Sequence, residues 1–430
     1  MAPLYYDGRI YIGLSGGEYG VRGRIYCLDA STGKELWRFY TVPGPGQPGH
    51  GTWPSDNNDW KHGGAVVWNT PAVDPRLDLL YLSTSNVGDL FNGSTRPGRN
   101  LWSASTIALN AKTGAFVWGY QQVHHDLWDY DSTNPVVLFD VTIHGQVRHA
   151  IAQANKTGWV YILDRTDGKP LLPIPEVPVP QNAFDNTWPT QPEPKGDPFV
   201  PHSIPASAIK PLDNVAPLRF RYVNHGAIFT PPSPLPPVVT PGTLGGANWP
   251  PSSYSPLTGF LYLCATHSFS LFPTVPQQFN PQSVAAGRQY LGGEFASPIN
   301  GPLQGTFTAI DTRTNTIAWQ RRYTTNGDNC YSGSVVTAGG VVFTGRNDGR
   351  LMAYDARTGK TLWSYETGAG ANAPAVSFAW QGTQYVLQYS AGNSLVDSPR
   401  GDILTLFSLH GTLPQLPREP AGTVSGKSGT

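Results

Sequence analysis

The sequence predicts an all-β chain folded as a propeller or solenoid, and three observations carry that prediction. A hairpin-sized unit recurs along the chain, Gly and Pro punctuate it densely, and strand-forming aromatics are abundant where charge is scarce. The unit reads GRIYCLDASTGKELWRFY from position 23, STIALNAKTGAFVWGY from 105, GWVYILDRTDGKPLLP from 158, GTFTAIDTRTNTIAWQRRY from 305 and GRLMAYDARTGKTLWSYE from 349. Self-similarity on this scale, written in strands and not in helices, is the mark of a repeat fold. The 430 residues contain 48 Gly, 41 Pro, 13 Trp and 20 Tyr but only 13% charged residues, against roughly 25% in an average domain.

Each unit has an alternating strand, a turn of the D-x-x-T/D-G kind and, in four of five copies, a Trp that opens the next strand. The turn glycine supplies positive φ, and the Trp is expected to pack between neighbouring blades. Counting outward from these hairpins gives about six blades, at 3–44, 62–122, 134–172, 222–323, 330–369 and 373–409, within one propeller domain over 1–409. From Lys169 to Asp213 the chain is Pro-rich, which denies ladder hydrogen bonds and predicts a long excursion, over the mouth of a site or along the outside. Residues 410–430 have no apolar pattern and are expected to fray.

Bulk properties narrow the function classes. Formal net charge is zero and no Lys/Arg run occurs, so no nucleic-acid partner is expected. No apolar run approaches the roughly 18 residues of a membrane span, and the start MAPLYYDGRIYIG reads as a strand entering directly, without a signal peptide. The three cysteines, Cys27, Cys264 and Cys330, make no CxxC or CxxCH pattern, so no covalent haem is expected, and each reads as a small buried hydrophobe.

The stretch 68–156 organises the chain. Asn86, in YLSTSN, and Asp129, in HHDLWDYD, are separated by one whole repeat unit, which sets two oxygen-bearing side chains a repeat apart. Taken singly, Glu18, Asn86 and Lys156 read as turn residues, and a Trp chosen at random reads as blade packing.

Several stretches together resemble the quinoprotein dehydrogenases that use pyrroloquinoline quinone (PQQ): SGGEYGVRG, GGAVVWNTPAVDPRLDLLYLSTSN, HHDLWDYD, NKTGWVYILDR, GGANWPPSSYSP and GRLMAYDARTGKTLW. The resemblance covers nearly the whole chain and is similar to both the methanol/ethanol and the membrane glucose dehydrogenase branches. It implies an eight-bladed propeller, of which roughly two blades at the N-terminal side have no counterpart here, and a periplasmic enzyme. The implied reaction is oxidation of a primary alcohol or sugar hydroxyl, with electrons passed to an external acceptor such as cytochrome c or a quinone.

By the same resemblance, a metal ion would be held by Glu18, Asn86 and Asp129, oxygen donors of the kind that suit hard cations. Asp131, two residues on, resembles an arrangement in lanthanide-using members that also occurs in sugar-oxidising relatives, so calcium and a lanthanide both stand. Asp129 is the implied base, taking the hydroxyl proton while the carbinol carbon passes hydride to the quinone. Lys156 matches the cationic contact to the quinone oxygens, Trp68 the floor beneath its rings, and Ser15, Asn248 and Tyr331 fall where the family flanks the cofactor.

His124, His125 and Asp126 read as hydrogen-bonding residues between blades. Tyr331 stands where a Trp is usual, Val66 where relatives often offer a hydroxyl, and the adjacent cysteines of the alcohol branches have no counterpart. A cofactor-free scaffold of the same ancestry and an inactive fragment of such an enzyme are the alternatives.

Overall fold

The computed structural model describes residues 1–205, 223–274, 287–293, 304–323 and 328–412. The ends of the Pro-rich excursion (206–213) and of the tail (413–430) lie outside the described residues.

The recurrent hairpin folds as its sequence demands. In the first copy, β3 (Arg24–Asp29) and β4 (Glu35–Tyr40) pair antiparallel. Between them Asp29 Oδ1 accepts hydrogen bonds from the Ser31 and Thr32 amides and hydroxyls. These bonds favour the ionised form and hold the Asp29 carboxyl down at about 2. Asn110 and Asp355 do the same work in their copies. In the copy from 305, Asn315 replaces Gly at the left-handed position, with φ 58°.

Among the described residues seven sheets of three or four strands result, six of them wholly antiparallel and one, within the span 222–323, containing a parallel pair. The first joins β1 (Leu4–Tyr6) and β2 (Arg9–Ile12) to β3 and β4. The second orders β5 (Ala72–Asp74), β6 (Leu79–Ser83), β7 (Ser105–Asn110) and β8 (Phe116–Gln121). The third has β9 (Val137–Ile143), β10 (Gln146–Ala154) and β11 (Val160–Asp164). The Pro-rich excursion contributes only a short hairpin, β12 (Glu176–Pro178) with β13 (Thr190–Pro192).

The span 222–323 holds two sheets. A small one is made of β14 (Val223–Gly226), β15 (Pro237–Val239) and β18 (Ser270–Leu271); a four-stranded one has β16 (Ser253–Ser255), β17 (Phe260–His267), β19 (Gln304–Asp311) and β20 (Thr316–Arg322). The last two are β21 (Val335–Val336) through β24 (Thr361–Glu366), and β25 (Val376–Trp380) through β27 (Ile403–Phe407).

The chain divides into two compact units. The first comprises Met1–Trp249, Ala265–Leu303 and Asp311–Ile317; the second comprises Pro250–Cys264, Gln304–Ile310 and Ala318–Thr430. In the first unit, Tyr11, Ile25 and Cys27 of the first sheet bury against Leu80, Leu82, Ile107 and Leu109 of the second. The other face of the second sheet, with Tyr81, Ala108 and Trp118, packs on Ile151 and Leu163 of the third. The repeat's Trp does pack between sheets, and it does so on the next sheet's turn glycine. A methyl group at Gly168, whose φ is 74°, would sit 2.5 Å from the Trp118 ring, and Gly114 meets Trp37 in the same way. In the second unit Trp319 lies on Gly359.

The cysteine reading needs correction. Cys27 is a free buried thiol as expected, but Cys264 and Cys330, in the second unit, form a disulfide. Their 66-residue separation hides the pairing, because only the strand pairing of β17 with its neighbours decides which distant segments meet.

Candidate active site

The site lies in the first unit, where three loop segments meet beside the start of β11. HHDLWDYD is shaped by alternation. The side chains of Trp128 and Tyr130 drive into an apolar cluster with Leu127, Phe229 and Phe272. Trp128 donates to the Thr230 carbonyl at 2.7 Å, and the Tyr130 hydroxyl donates to the Pro241 carbonyl at 2.6 Å. Asp129, between these anchored rings, adopts a left-handed φ of 63° and presents its carboxylate to Lys156.

Lys156 Nζ is 3.2 Å from Asp129 Oδ2 and 2.7 Å from Asp131 Oδ2. Asp131 Oδ1 accepts the Asn86 amide at 2.6 Å, so the segment after β6 is joined to the same cluster. The sequence thus named four residues that the structure brings together: Asn86, Asp129, Asp131 and Lys156. The resemblance assigns Lys156 to the quinone alone and does not predict this mutual bonding.

Electrostatics follow from burial. Burial alone would lower the Lys156 pKa, yet the two carboxylates outweigh it and the ammonium is held firmly protonated. For Asp129 burial dominates, Lys156 opposes it, and Asp131 and Asp126 add repulsion, so its carboxyl is pushed well above the usual range. Two carboxylates facing one ammonium leave a buried site short of positive charge.

The other named residues are placed as follows. Glu18 sits in a short 3-10 turn, Gly17–Tyr19, between glycines of φ 83° and 70°. A methyl group added at its neighbour Gly17 would lie 3.5 Å from the Val66 side chain and 3.7 Å from the Ser85 hydroxyl, next to Asn86. Ser15 is exposed in the same loop. Trp68 is half-buried, and its neighbour Asn69 donates to the Thr133 carbonyl at 2.8 Å, two residues from Asp131. Asn248 spends its amide locally, donating to Leu244 and accepting from the Trp249 amide, both at 2.8 Å. Tyr331 belongs to the second unit, buried next to Cys330.

The residues fit a hard cation and a flat aromatic cofactor. The Glu18 carboxylate and Asn86 Oδ1 accept no hydrogen bond among the described residues, and the Trp68 indole has neither ring partner nor hydrogen bond there. The Asn86 amide oxygen is therefore uncommitted at a charge-deficient cluster, the Glu18 carboxylate is uncommitted in its own turn, and an indole face is unstacked. A cation at the cluster would also return Asp129 to the carboxylate that a base must be. Among the described residues no three His, Cys, Asp or Glu side chains alone make up a metal site.

Sequence reasoning missed the supports. Gly245, with φ 74°, packs where a methyl would fall 2.3 Å from the Lys156 side chain, and the Gly246 amide bonds the Lys156 carbonyl at 2.7 Å. The second of the paired glycines in GGANW was the available signal. Asn155 donates to Gln122 and Ser132, and Gln153 donates to Ser83, Ser132 and Asn134, a buried amide network that no short motif announces.

His124 and His125 bond as the sequence reading expects of structural residues, and some of their partners lie in the Pro-rich excursion. Gln191 embraces the His124 backbone at 2.7 and 2.8 Å, and the His124 ring faces Glu176 at 3.0 Å. His125 stands between the Gly98 and Asp185 carbonyls at 2.8 and 2.7 Å. Burial pushes its pKa down to about 3, so the neutral ring donates to one of them at a time. The excursion is therefore fastened to the segment that carries Asp129.

The model of the PQQ glucose/ethanol/alcohol dehydrogenase β-propeller domain matches residues 2–386. The chain belongs to that family. Within it, the chain is 34% identical to the quinohemoprotein alcohol dehydrogenase ADH-IIG of Pseudomonas putida over 90% of its own length and 52% of the relative's. The crystal structure of the quinohemoprotein alcohol dehydrogenase from Comamonas testosteroni superposes with a TM-score of 0.74 at 29% identity, covering 97% of this chain and 61% of that one. A europium-containing methanol dehydrogenase follows at TM-score 0.66 and 28% identity, covering 91% and 65%. This PQQ-family chain thus has the propeller fold the repeats predict, and it spans about half the length of the curated relatives it matches.

Proposed function

We propose that this PQQ-family chain carries the metal and base side of the active site of a periplasmic dehydrogenase that oxidises a primary alcohol or a sugar hydroxyl. The observation that supports it most is the buried Asn86–Asp131–Lys156–Asp129 cluster, which is short of positive charge and flanked by uncommitted oxygen donors. A protein used only as a scaffold gains nothing from burying such a cluster, which costs stability unless it is fully paired.

Glu18, Asn86, Asp129 and Asp131 would hold Ca²⁺ or a lanthanide ion. Trp68 would lie under the PQQ rings, with Ser15 and Asn248 at their edge. PQQ held there would supply a two-electron oxidant, and the cation a Lewis acid. Asp129 takes the proton of the substrate hydroxyl, and Lys156 keeps both aspartates oriented while its fixed charge favours negative charge developing nearby. An acceptor outside this chain, a cytochrome c or a quinone, would take up the electrons. The Cys264–Cys330 disulfide supports an oxidising compartment.

Reconstitution with PQQ and either Ca²⁺ or La³⁺, followed by quinone absorbance and dye reduction with alcohol and aldose panels, tests the proposal. Expected is saturable binding and metal-dependent turnover, with kcat lowered at least ~100-fold by Asp129→Ala. Folded protein that binds PQQ with neither ion would overturn it in favour of a scaffold.

A further inference from the structure

Asp129 holds a left-handed backbone conformation that strains a non-glycine residue, so something else must hold the turn. We propose that Asp126 and Arg96 are a buried positioning pair that aims the Asp129 carboxylate by locking its turn to the loop that follows Asn86. The inference rests on the reading of Asp129 as the base.

Asp126 has no exposed surface. Its Oδ1 accepts the Trp128 amide at 3.0 Å, and its two oxygens accept the Tyr130 amide at 3.2 and 3.1 Å. These are the amides on either side of Asp129. One carboxylate thus pins both flanks of the strained residue. Together with the anchored rings of Trp128 and Tyr130, this leaves the Asp129 side chain a single direction, toward Lys156.

Arg96, only 1% exposed, fastens that turn to the other loop. Its Nη2 donates to the Asp126 carbonyl at 2.7 Å and to the Asp89 carbonyl at 3.1 Å, and its Nε reaches the Asp89 carbonyl at 3.3 Å. Nη1 donates to Asn100 Oδ1 at 2.9 Å, and Asn100 returns a bond to the Arg96 carbonyl. The guanidinium therefore bridges a carbonyl three residues before Asp129 to one three residues after Asn86. Only a planar fork with several donors spans both; a lysine ammonium is a point charge on a flexible stem. Asp89, Asp126, Asp185 and Asp59 supply the negative field that lets this cation stay buried. The pair touches neither substrate nor cofactor and acts through the position of Asp129.

The test compares Asp126→Ala, Asp126→Asn and Arg96→Lys by amide hydrogen exchange and by steady-state kinetics of the reconstituted protein. In Asp126→Ala the Trp128 and Tyr130 amides should exchange at least about tenfold faster while β6, β7 and β10 stay protected. Turnover should fall ~100-fold through kcat with KM nearly unchanged, as displacement of a base by an ångström requires. Asp126→Asn, which keeps an acceptor oxygen, should recover most of both, and Arg96→Lys should loosen the turn and the 89–90 loop together. Unchanged amide exchange in folded Asp126→Ala, or unchanged kcat, overturns the proposal; if Asp126→Ala does not fold, the Asn and Lys variants decide it by the same readouts. Retained turnover in Asp129→Ala would instead sink the functional reading, and exchange at Trp128 and Tyr130 would still judge the pair.

Discussion

Asp131 Oδ2 lies 2.7 Å from the Lys156 ammonium, and the two side chains are only 6% and 4% exposed. The pair is the electrostatic keystone of the site, because Asp129 leans on the same ammonium. Lys156→Met should destabilise the metal-free protein by about 3–5 kcal/mol, the cost of leaving buried carboxylates unpaired. Added Ca²⁺ or La³⁺ should then raise the unfolding temperature more in the variant than in the wild type. Equal metal responses in thermal scans would argue against a cation at this cluster.

The Cys264–Cys330 disulfide closes a 66-residue separation and should stabilise the second unit by about 4 kcal/mol on the loop-entropy account. Cys264→Ser or Cys330→Ser is expected to lower the denaturation midpoint accordingly. Alkylation of the unreduced, denatured protein should label Cys27 alone, which mass spectrometry reads directly.

Gly168→Ala should cost about 2–4 kcal/mol, since it adds both a positive-φ penalty and a collision with the Trp118 ring. Gly145, also left-handed at φ 76° but with open space about it, should lose only the backbone part on the same substitution. Urea titration of the two variants separates the ring contact from the turn.

Burial pushes the Asp185 carboxyl up to about 6, against about 3.9 in an unfolded chain. Between those values the folded protein keeps a proton that the unfolded chain has lost, so this group's contribution to stability falls as pH rises from about 4 to 6 and is level above. His125, held neutral, works in the opposite sense as pH rises toward 6.5, so the comparison must be between variants. Relative to Asp185→Asn, the wild type should lose on the order of 2 kcal/mol across that window, measured by denaturant unfolding at pH 4 and pH 7.

The blades were legible because each hairpin is a local event. The Asp29 turn closes within its own few residues, and period-2 alternation decides which strand face meets the core. Asn86, Asp129, Asp131 and Lys156 were picked out for a different reason: the motifs that hold them resemble stretches of the quinoprotein dehydrogenases. Neither route reaches Arg96, and Asp126 reads from the sequence only as a hydrogen-bonding residue, because the work of both is done on backbone carbonyls and amides that carry no residue type. The His124 and His125 bonds to the excursion were hidden likewise, since Gln191 and Asp185 come from a segment with no repeat pattern.

By itself the sequence determined the repeat, its turns, the all-β class and the identity of the charged side chains at the site. The tertiary structure alone decided that Cys264 meets Cys330, that Trp118 rests on Gly168, and that one ammonium serves two aspartates. The physical reason is range. Turn chemistry and strand alternation act over a few residues, whereas pairing, burial and charge balance depend on which distant segments are packed together.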